Sequence, residues 1–306
     1  MGKTFRVYVK DKFDRIVYKY ALLNRILRNL NKVMSPLTSF KLRPFGVLNL
    51  TLRSGLQFKL ATNETSAVAK KIFWYTPDSY EYTVVFEKLA KKCSAFADIG
   101  ANIGYYSLIA ARANPSMKVY AFEPASGPLH FLKKNVAING LENQIDVFAV
   151  ALSNTAGNLE FQEIRNRGQQ NTRYNLGGAG KILKENDSRD NIIPVLVPSE
   201  TMDVFFRKLS PVPDLIKMDT EGTENMILEG AQKIIREHKP IIICETLFHV
   251  IERELEGIMK SHGYRFYNFS NGKLVKADTL LRATDNGVSD CFFVPPEKEH
   301  LIQEFV

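Results

Sequence analysis

From Ala95 onward, short apolar runs alternate with segments of helical periodicity, and this alternation constrains the fold more than any other feature. The apolar runs are candidate strands at residues 95–99, 118–122, 145–150, 215–218 and 241–244. Helical patterns begin near Ile103, Pro128, Thr223 and Ile251. Such alternation is typical of crossover connections between parallel strands, with helices on both faces of the sheet. We therefore predict an α/β fold with a doubly wound, mostly parallel sheet.

Two parts of this region depart from the alternation. The runs that begin at Gly263 and Asp290 have no comparable helix between them, so we expect them to pair as an antiparallel edge of the sheet. Residues 165–191 are rich in Gly, Asn, Arg and Gln and show little periodicity. Long loops inside a compact domain are usually functional, and this one falls between core strands. We interpret it as a lid over the ligand crevice.

The first 79 residues precede the alternating pattern and predict an extension made of a helix and a hairpin. Apolar residues recur at helical spacing from Phe13 to Met34, with basic side chains between them. Residues 46–52 and 57–60 flank a short turn, as in a hairpin. A further helix over residues 80–91 leads into the main domain. We place the extension at residues 1–79 and the main domain at residues 80–306.

The excess positive charge lies in the N-terminal segment. The chain has 41 Lys+Arg and 33 Asp+Glu, a net charge of +8. Residues 1–60 hold 13 basic and 2 acidic residues, so the rest holds 28 basic and 31 acidic residues, a net of −3. The main domain is therefore close to neutral, and no nucleic-acid partner is expected.

The helix at residues 13–34 allows three interpretations. We expect a cap that packs its apolar stripe on the main domain and leaves its charges in solvent. One alternative is peripheral contact with an anionic membrane surface. The other is self-association, because the sequence leaves the oligomeric state open.

The sequence predicts a cytoplasmic protein. The alternative is a cytoplasmic protein with peripheral contact at the inner membrane surface. The sequence lacks the basic start and cleavage site of a signal peptide and any uncharged apolar run of membrane-spanning length. Cys93, Cys244 and Cys291 are far apart and lack metal-ligand spacing. We expect three buried thiols, without disulfides or a structural zinc site.

The segment Asp98-Ile-Gly-Ala-Asn-Ile-Gly104 follows an apolar strand and opens a helix, which is the context of a nucleotide-binding turn. A dinucleotide fold has glycine where the backbone approaches a pyrophosphate, but this chain has Asn102 there. The carboxylate of Asp98 would repel a diphosphate and would suit an ammonium or a sulfonium. The predicted ligand is therefore a cationic cofactor, held by Asp98, Gly100, Asn102 and Gly104.

Glu123 ends the next candidate strand, 19 residues after Gly104. An acid at about this distance can accept hydrogen bonds from both hydroxyls of a ribose, which S-adenosylmethionine leaves free. A turn or cap residue is the alternative for either acid, but two acids at matching strand ends favour the functional interpretation. Asp146, at the third strand, is predicted to border the adenine on strand order alone.

Three carboxylates follow later strands, and each is a candidate for chemistry. Asp219 and Glu221 come directly after one buried strand, and Glu245 follows the next, with His249 four residues later. Strand ends of open α/β sheets line the ligand crevice. Asp219, Glu221 or His249 could remove a proton from an acceptor. Alternatively, Asp219, Glu221 and Glu245 could hold a divalent cation that chelates substrate hydroxyls.

Each of these acids and the histidine also has a structural interpretation. Glu221 could cap the following helix, with Glu224 solvated inside it, and His249 could be a hydrogen-bonded structural residue.

The residues 96–104, Phe122-Glu-Pro124 and 216–224 resemble FkbM-type methyltransferases, over about residues 80–244. The resemblance implies a class I methyltransferase fold, with a Rossmann-like seven-stranded sheet whose last strand is antiparallel. It also implies S-adenosylmethionine as the donor and oxygen methylation, often of sugar or polyketide hydroxyls. Carried over by position, it puts these residues on the cofactor: Asp98, Gly100, Asn102, Gly104 and Glu123. It puts Asp219 and Glu221 at the active site.

The resulting hypothesis is an S-adenosylmethionine-dependent O-methyltransferase acting on a hydroxyl of a carbohydrate, glycolipid or related metabolite. A nucleic-acid methyltransferase is one alternative, prompted by the basic segment. A protein that binds the cofactor without catalysis is the other, although the acids at 219 and 221 argue against it.

Overall fold

The structure, a computed structural model, describes residues 12–37, 39–164, 174–177, 181–182 and 192–306. Its helices are α1 (residues 12–17), α2 (Ala21–Met34), α3 (Ala67–Trp74), α4 (Thr83–Ala90), α5 (Tyr105–Ala113), α6 (Ser126–Ile138), α7 (Met202–Phe205), α8 (Glu224–Glu229), α9 (Gln232–His238) and α10 (Glu252–Ser261). Short 3-10 turns lie at Pro77–Ser79, Phe206–Lys208, Pro296–Leu301 and Gln303–Phe305.

The strands within the described residues form three sheets. In chain order they are β1 (Gly46–Thr51), β2 (Gln57–Thr62), β3 (Ala95–Ile99), β4 (Lys118–Phe122), β5 (Ile145–Phe148), β6 (Ala151–Leu152), β7 (Gly157–Ile164), β8 (Lys181–Ile182), β9 (Ile192–Glu200), β10 (Leu215–Met218), β11 (Ile241–Glu245), β12 (Arg265–Ser270), β13 (Lys273–Ala277) and β14 (Asp290–Val294).

The main sheet has the order β13-β12-β14-β11-β10-β3-β4-β5. The five strands from β11 to β5 are parallel, and β14 runs antiparallel to both of its neighbours. The predicted doubly wound sheet with an antiparallel edge element is confirmed. β13 pairs with β12 and adds an eighth strand to the seven that the resemblance implies.

The central strands are apolar because both faces of the sheet are covered. Alternate residues of β3 enter different cores, with Phe96 on one face and Ala97 on the other. The same division separates Ile243 from Ile242 in β11. Parallel strands buried on two faces read as continuous apolar runs, which is why their positions could be predicted.

The predicted N-terminal hairpin is present as β1 and β2, and it packs on α5 and α6. Two asparagines one turn apart, Asn135 on α6 and Asn139 at its C-cap, bind the free edge of β2. The amide of Asn135 accepts from the N–H of Ala61 and donates to its carbonyl oxygen, at 2.5 and 3.1 Å. Asn139 does the same with Lys59, at 2.8 and 2.7 Å. Each side-chain amide thus takes the place of a peptide of a neighbouring strand.

The predicted packing of the basic helix is wrong. The helical segment is divided into α1 and α2, and α2 turns polar residues inward: Asn24 and Arg28 are buried, while Leu30 and Met34 are more than half exposed. Arg28 donates to the carbonyl oxygen of Phe45 at 2.7 Å. Carbonyl oxygens in the segment after α2 therefore determine which face of α2 points inward. The apolar periodicity of the helix alone could not indicate this face.

A small sheet of order β6-β9-β7-β8 lies beside the main one and was not predicted. β9 carries Pro194 and Pro198, which weaken the strand pattern. The predicted lid at residues 165–191 lies outside the described residues, except for 174–177 and 181–182.

The three cysteines are buried free thiols, as predicted. None of the helices in the described ranges is long and apolar enough to cross a membrane.

Candidate active site

A cleft opens at the carboxyl edge of the main sheet, where β3 has β4 on one side and β10 on the other. The chain order of the strands reverses here, and open α/β sheets bind ligands at such a switch point. The cavity has a volume of about 300 Å3 and is lined by the residues that follow β3, β4 and β10 and by the end of β11. Its size and position make it the candidate ligand site.

The loop between β3 and α5 contains three left-handed backbone conformations. Gly100, Asn102 and Gly104 have φ angles of 72°, 51° and 85°. A Cβ on Gly100 would lie 2.0 Å from the carbonyl oxygen of Asp219, so only glycine fits where the loops after β3 and β10 touch. Gly100 and Asn102 line the cavity, whereas Gly104 is the N-cap of α5 and lies against Leu132.

Glu123 joins two loops of the cavity. Its Oε2 accepts a hydrogen bond from the N–H of Asn102 at 2.8 Å, and its Oε1 accepts one from the N–H of Ala125 at 2.9 Å. The residue is 6% exposed, and burial raises its pKa to about 7 in spite of these hydrogen bonds. Each carboxylate oxygen has a second lone pair, so the side chain can accept further hydrogen bonds from a ligand.

Asp98 lies under the cavity, outside its lining, and is 1% exposed. Its Oδ2 accepts from the hydroxyl of Ser107 at 2.6 Å, and its Oδ1 lies 3.8 Å from Nζ of Lys217. Burial raises the pKa of Asp98, and the ammonium of Lys217 opposes that shift. The cation that Asp98 faces in the structure is therefore the protein's own.

Lys217 links Asp98 to the acidic loop after β10. Its Nζ lies 3.3 Å from Oδ2 of Asp219 and 5.7 Å from the centre of the Tyr106 ring. Burial lowers the pKa of Lys217, but the carboxylates of Asp219 and Asp98 outweigh burial and hold the pKa above its usual value. The amine thus stays charged and neutralises two carboxylates at the centre of the sheet.

Glu224 shapes the loop after β10. It is fully buried, and its carboxylate accepts from the N–H of Thr220 at 2.7 Å and from the N–H of Gly222 at 3.1 Å. The solvated position considered for Glu224 is wrong, because the loop's backbone donors need an acceptor. The loop places Asp219 and Glu221 in the cavity lining, Glu221 with a φ of 62°.

Carboxylates dominate the charged groups of the lining. They are Glu81, Glu123, Glu163, Asp219, Glu221 and Glu245, and the cation among the described lining residues is Lys217. Burial and the charges of Asp219 and Glu221 raise the pKa of Glu245. Such a lining repels anions and suits a ligand that carries positive charge or donates hydrogen bonds.

Besides Asp98 and Gly104, two more predicted site residues lie outside the cavity lining. Asp146 pairs with Lys118 at 2.8 Å on the outer strands of the sheet. His249 is exposed, with Nε2 3.2 Å from the carbonyl oxygen of Arg282 and its ring stacked on Phe248. The structure brings neither residue to the lining, so their roles stay predictions.

The predicted divalent-cation site has no geometric support. Asp219, Glu221 and Glu245 all line the cavity. Within the described part of the chain, however, no group of three His, Cys, Asp or Glu side chains is arranged to hold a metal ion. The cation beside Asp219 is the amine of Lys217.

Residues 174–177 of the predicted lid line the cavity. The side-chain amide of Asn63 donates to the carbonyl oxygen of Tyr174 at 2.6 Å, and the N–H of Leu176 donates to the hydroxyl of Thr65 at 2.8 Å. The loop between β2 and α3 therefore fixes this part of the segment. The closing function stays a prediction.

Sequence reasoning missed Glu81 and Lys217. Glu81, with a φ of 44°, lines the cavity and accepts from the hydroxyl of Tyr106 at 3.0 Å, and burial raises its pKa. Lys217 interrupts the apolar strand Leu215–Met218. A lysine inside a buried strand needs a carboxylate partner, which was the available signal for the pair.

The cavity lies at the switch point of a doubly wound sheet, with a glycine loop after one strand and an acid after the next. α/β enzymes with such sheets bind nucleotide-type cofactors at this position. The chain belongs to the FkbM methyltransferase family: residues 98–266, more than half of its length, match the family described as "Methyltransferase FkbM domain". The resemblance found in the sequence is confirmed. Membership of a methyltransferase family implies the use of S-adenosylmethionine.

Two similar proteins differ greatly in length. Methyltransferase sdnD of Sordaria araneosa is 26% identical over 190 residues, which cover 55% of this chain and 72% of that protein. AMB antimetabolite synthetase AmbE of Pseudomonas aeruginosa is 25% identical over 236 residues, which cover 65% of this chain and 10% of that protein.

Among solved structures, methyltransferase FkbM from Methylobacillus flagellatus KT is 17% identical, with a TM-score of 0.42. The match covers 65% of this chain and 43% of the Methylobacillus flagellatus chain, which is less than half of that chain's length.

Proposed function

We propose that this chain is an S-adenosylmethionine-dependent O-methyltransferase that acts on a hydroxyl of a carbohydrate, glycolipid or related metabolite. The observation that carries the proposal is the acidic cavity at the switch point. S-adenosylmethionine has a sulfonium and an ammonium, which carboxylates attract, whereas the same lining would repel the diphosphate of a dinucleotide. The acceptor class rests on the resemblance to FkbM-type enzymes.

Two buried oxygens of the lining support a ligand rich in hydrogen-bond donors. Oδ1 of Asn102 and Oε2 of Glu245 have no hydrogen-bond partner within the residues that the structure describes. A buried acceptor without a partner costs about 1–3 kcal/mol. An ammonium or a hydroxyl in the cavity would remove that cost, and Glu123 would hold the ribose through its remaining lone pairs.

Glu245 is our assignment for the base. Bound S-adenosylmethionine supplies the methyl group, so the chain's own residues must place the hydroxyl oxygen and take its proton. A carboxylate with a raised pKa is a stronger base, and burial together with Asp219 and Glu221 raises the pKa of Glu245. Glu245 loses its own proton more readily when a cation lies beside it. We assign the orientation of the acceptor to Asp219, because 43% of its side chain is exposed.

Nucleic acid is a poor fit to this cavity, because phosphodiesters would approach several carboxylates. The basic N-terminal segment is the feature that would favour it. A cofactor-binding protein without catalysis is the other alternative, and it predicts binding with no product.

The donor site is tested by calorimetric titration with S-adenosylmethionine in two buffers of different ionisation enthalpy. We expect binding that releases protons, because a cation favours the ionised forms of Glu123 and Glu245. Glu123→Gln should weaken binding at least about tenfold, or about 1.4 kcal/mol. Glu142→Gln, which changes an exposed carboxylate outside the cavity lining, is the matched control and should leave the affinity unchanged. Preference for a nicotinamide dinucleotide would refute the assignment.

The acceptor is tested by measuring S-adenosylhomocysteine formation with panels of sugars, glycolipids and RNA oligonucleotides. We expect turnover with a hydroxylated glycan, and Glu245→Gln should lower kcat about 100-fold or more. Methylation of RNA alone would favour the nucleic-acid alternative. Cofactor binding without any product would favour the non-catalytic one.

A further inference from the structure

Helix α2 is fixed with its polar side toward the protein. Asn24 Nδ2 donates to the carbonyl oxygen of Arg43 at 3.2 Å, and Asn24 Oδ1 accepts from the N–H of Phe45 at 3.0 Å. Arg28 donates to the carbonyl oxygens of Phe45 and Val47 and lies over the ring of Phe73. Rotation of the helix to bury its leucines would leave these groups without partners, which is costly for a guanidinium.

The opposite side of α2 is apolar and exposed. Leu22, Ile26, Leu30 and Val33 recur at helical spacing, and their exposed fractions are 70%, 51%, 55% and 80%. Leu37, just beyond the helix, is 86% exposed. We call these five residues the outer stripe. Contiguous exposed apolar residues of this kind mark an interaction surface.

Basic side chains accompany the outer stripe. Residues 12–43 contain Lys12, Arg15, Lys19, Arg25, Arg28, Lys32, Lys41 and Arg43 against one acid, Asp14. Arg28 is buried, while Lys12, Arg15, Lys19 and Arg25 are exposed. An exposed apolar stripe with cations and almost no anions is the chemistry that anionic lipid headgroups and acyl chains complement.

We propose that the outer stripe and its flanking cations dock this protein on the surface of an anionic phospholipid bilayer, with α2 in the plane of the interface. The inference is independent of the reaction assigned to the cavity. A second copy of the chain fits less well, because a symmetric contact through α2 would bring two clusters of positive charge together.

The test is co-sedimentation of the whole chain with vesicles of phosphatidylcholine, with and without phosphatidylserine. We expect binding to the vesicles that contain phosphatidylserine and little binding to the others. Leu22→Gln/Val33→Gln should lower the partition coefficient at least about tenfold, because each buried methylene adds to membrane affinity. Arg15→Gln/Arg25→Gln should lower it about tenfold for anionic vesicles only.

The matched control is Leu196→Gln, since Leu196 on β9 is 71% exposed outside the N-terminal segment. It should bind vesicles as the parent does. All variants should keep the parent's melting temperature, because the changed side chains are exposed. Binding that Leu22→Gln/Val33→Gln leaves unchanged would overturn the proposal. So would a dimer, seen by light scattering, that this variant dissociates while neither protein binds vesicles.

Discussion

Glu123→Gln should change the pH dependence of stability, because the pKa of Glu123 is raised by burial to about 7 from the ordinary value of 4.5. A carboxyl with a raised folded-state pKa favours the folded state only while it is protonated. This contribution is complete below pH 4.5 and is lost as the pH rises through about 7. The parent protein therefore loses stability over this pH window, because Glu123 ionises. The variant does not show this loss, because the amide of Gln does not ionise.

The size of the effect follows from the shift. A difference of about 2.5 pKa units corresponds to about 3 kcal/mol at about 1.4 kcal/mol for each unit. Most of this loss, about 2–3 kcal/mol, falls between pH 5 and pH 8. The two carboxylate oxygens of Glu123 accept hydrogen bonds from the N–H groups of Asn102 and Ala125. Gln has only one acceptor oxygen, so the variant loses one of these hydrogen bonds. The free-energy cost of the lost hydrogen bond is nearly independent of pH.

Urea unfolding of the parent and of Glu123→Gln at pH 5 and pH 8 measures this quantity directly. The variant's free energy of unfolding, relative to the parent, should rise by about 2–3 kcal/mol from the lower pH to the higher. Glu142→Gln, which removes an exposed carboxylate, controls for the loss of one negative charge. An equal difference between parent and variant at both pH values would show that Glu123 is not a buried titrating group.

Three further substitutions test the framework of the site. Gly100→Ala should lower the free energy of unfolding by about 2–4 kcal/mol, because the alanine methyl group would overlap the backbone of Asp219 after β10. An unchanged urea midpoint would refute this close contact between the two loops. Lys217→Met should lower the free energy of unfolding by about 3–5 kcal/mol, because it leaves the buried carboxylate of Asp98 without its cation. Adding Asp98→Asn should restore part of the lost stability, which a double-mutant cycle measures. Asn135→Leu should cost about 2–3 kcal/mol and speed amide exchange in β2, since three hydrogen bonds to backbone are lost; unaltered exchange would contradict the edge contact.

The central strands could be predicted because burial on two faces leaves a local signal. β3, β4 and β10 have the bounds that the apolar runs predict. β7 and β9 lacked such a signal: they pair across a long connection, and prolines interrupt β9. The inward face of α2 depends on Arg28 and on carbonyl groups beyond the helix, so no periodicity within the helix could show it.

The residues of the candidate site likewise fall into those that the sequence could predict and those that it could not. Gly100, Asn102, Glu123 and Asp219 share the cavity because parallel strands end at one edge, which the sequence already implies. Glu81 comes from the segment before the sheet, and its position depends on tertiary packing. An acid in the sequence can face solvent, a ligand or a protein cation, and the topology alone does not choose among these.

Asn135 on α6 and Asn139 at its C-cap bear on how the hairpin can vary. Their contacts with β2 are all to its backbone atoms, so we expect substitutions along that strand to leave the attachment unchanged as long as the backbone stays extended. Their amides also occupy the strand edge that another chain would otherwise extend, which protects the hairpin from intermolecular β-pairing. We therefore expect that the N-terminal segment can diverge, or be exchanged for another hairpin, at little risk of aggregation while Asn135 and Asn139 are retained.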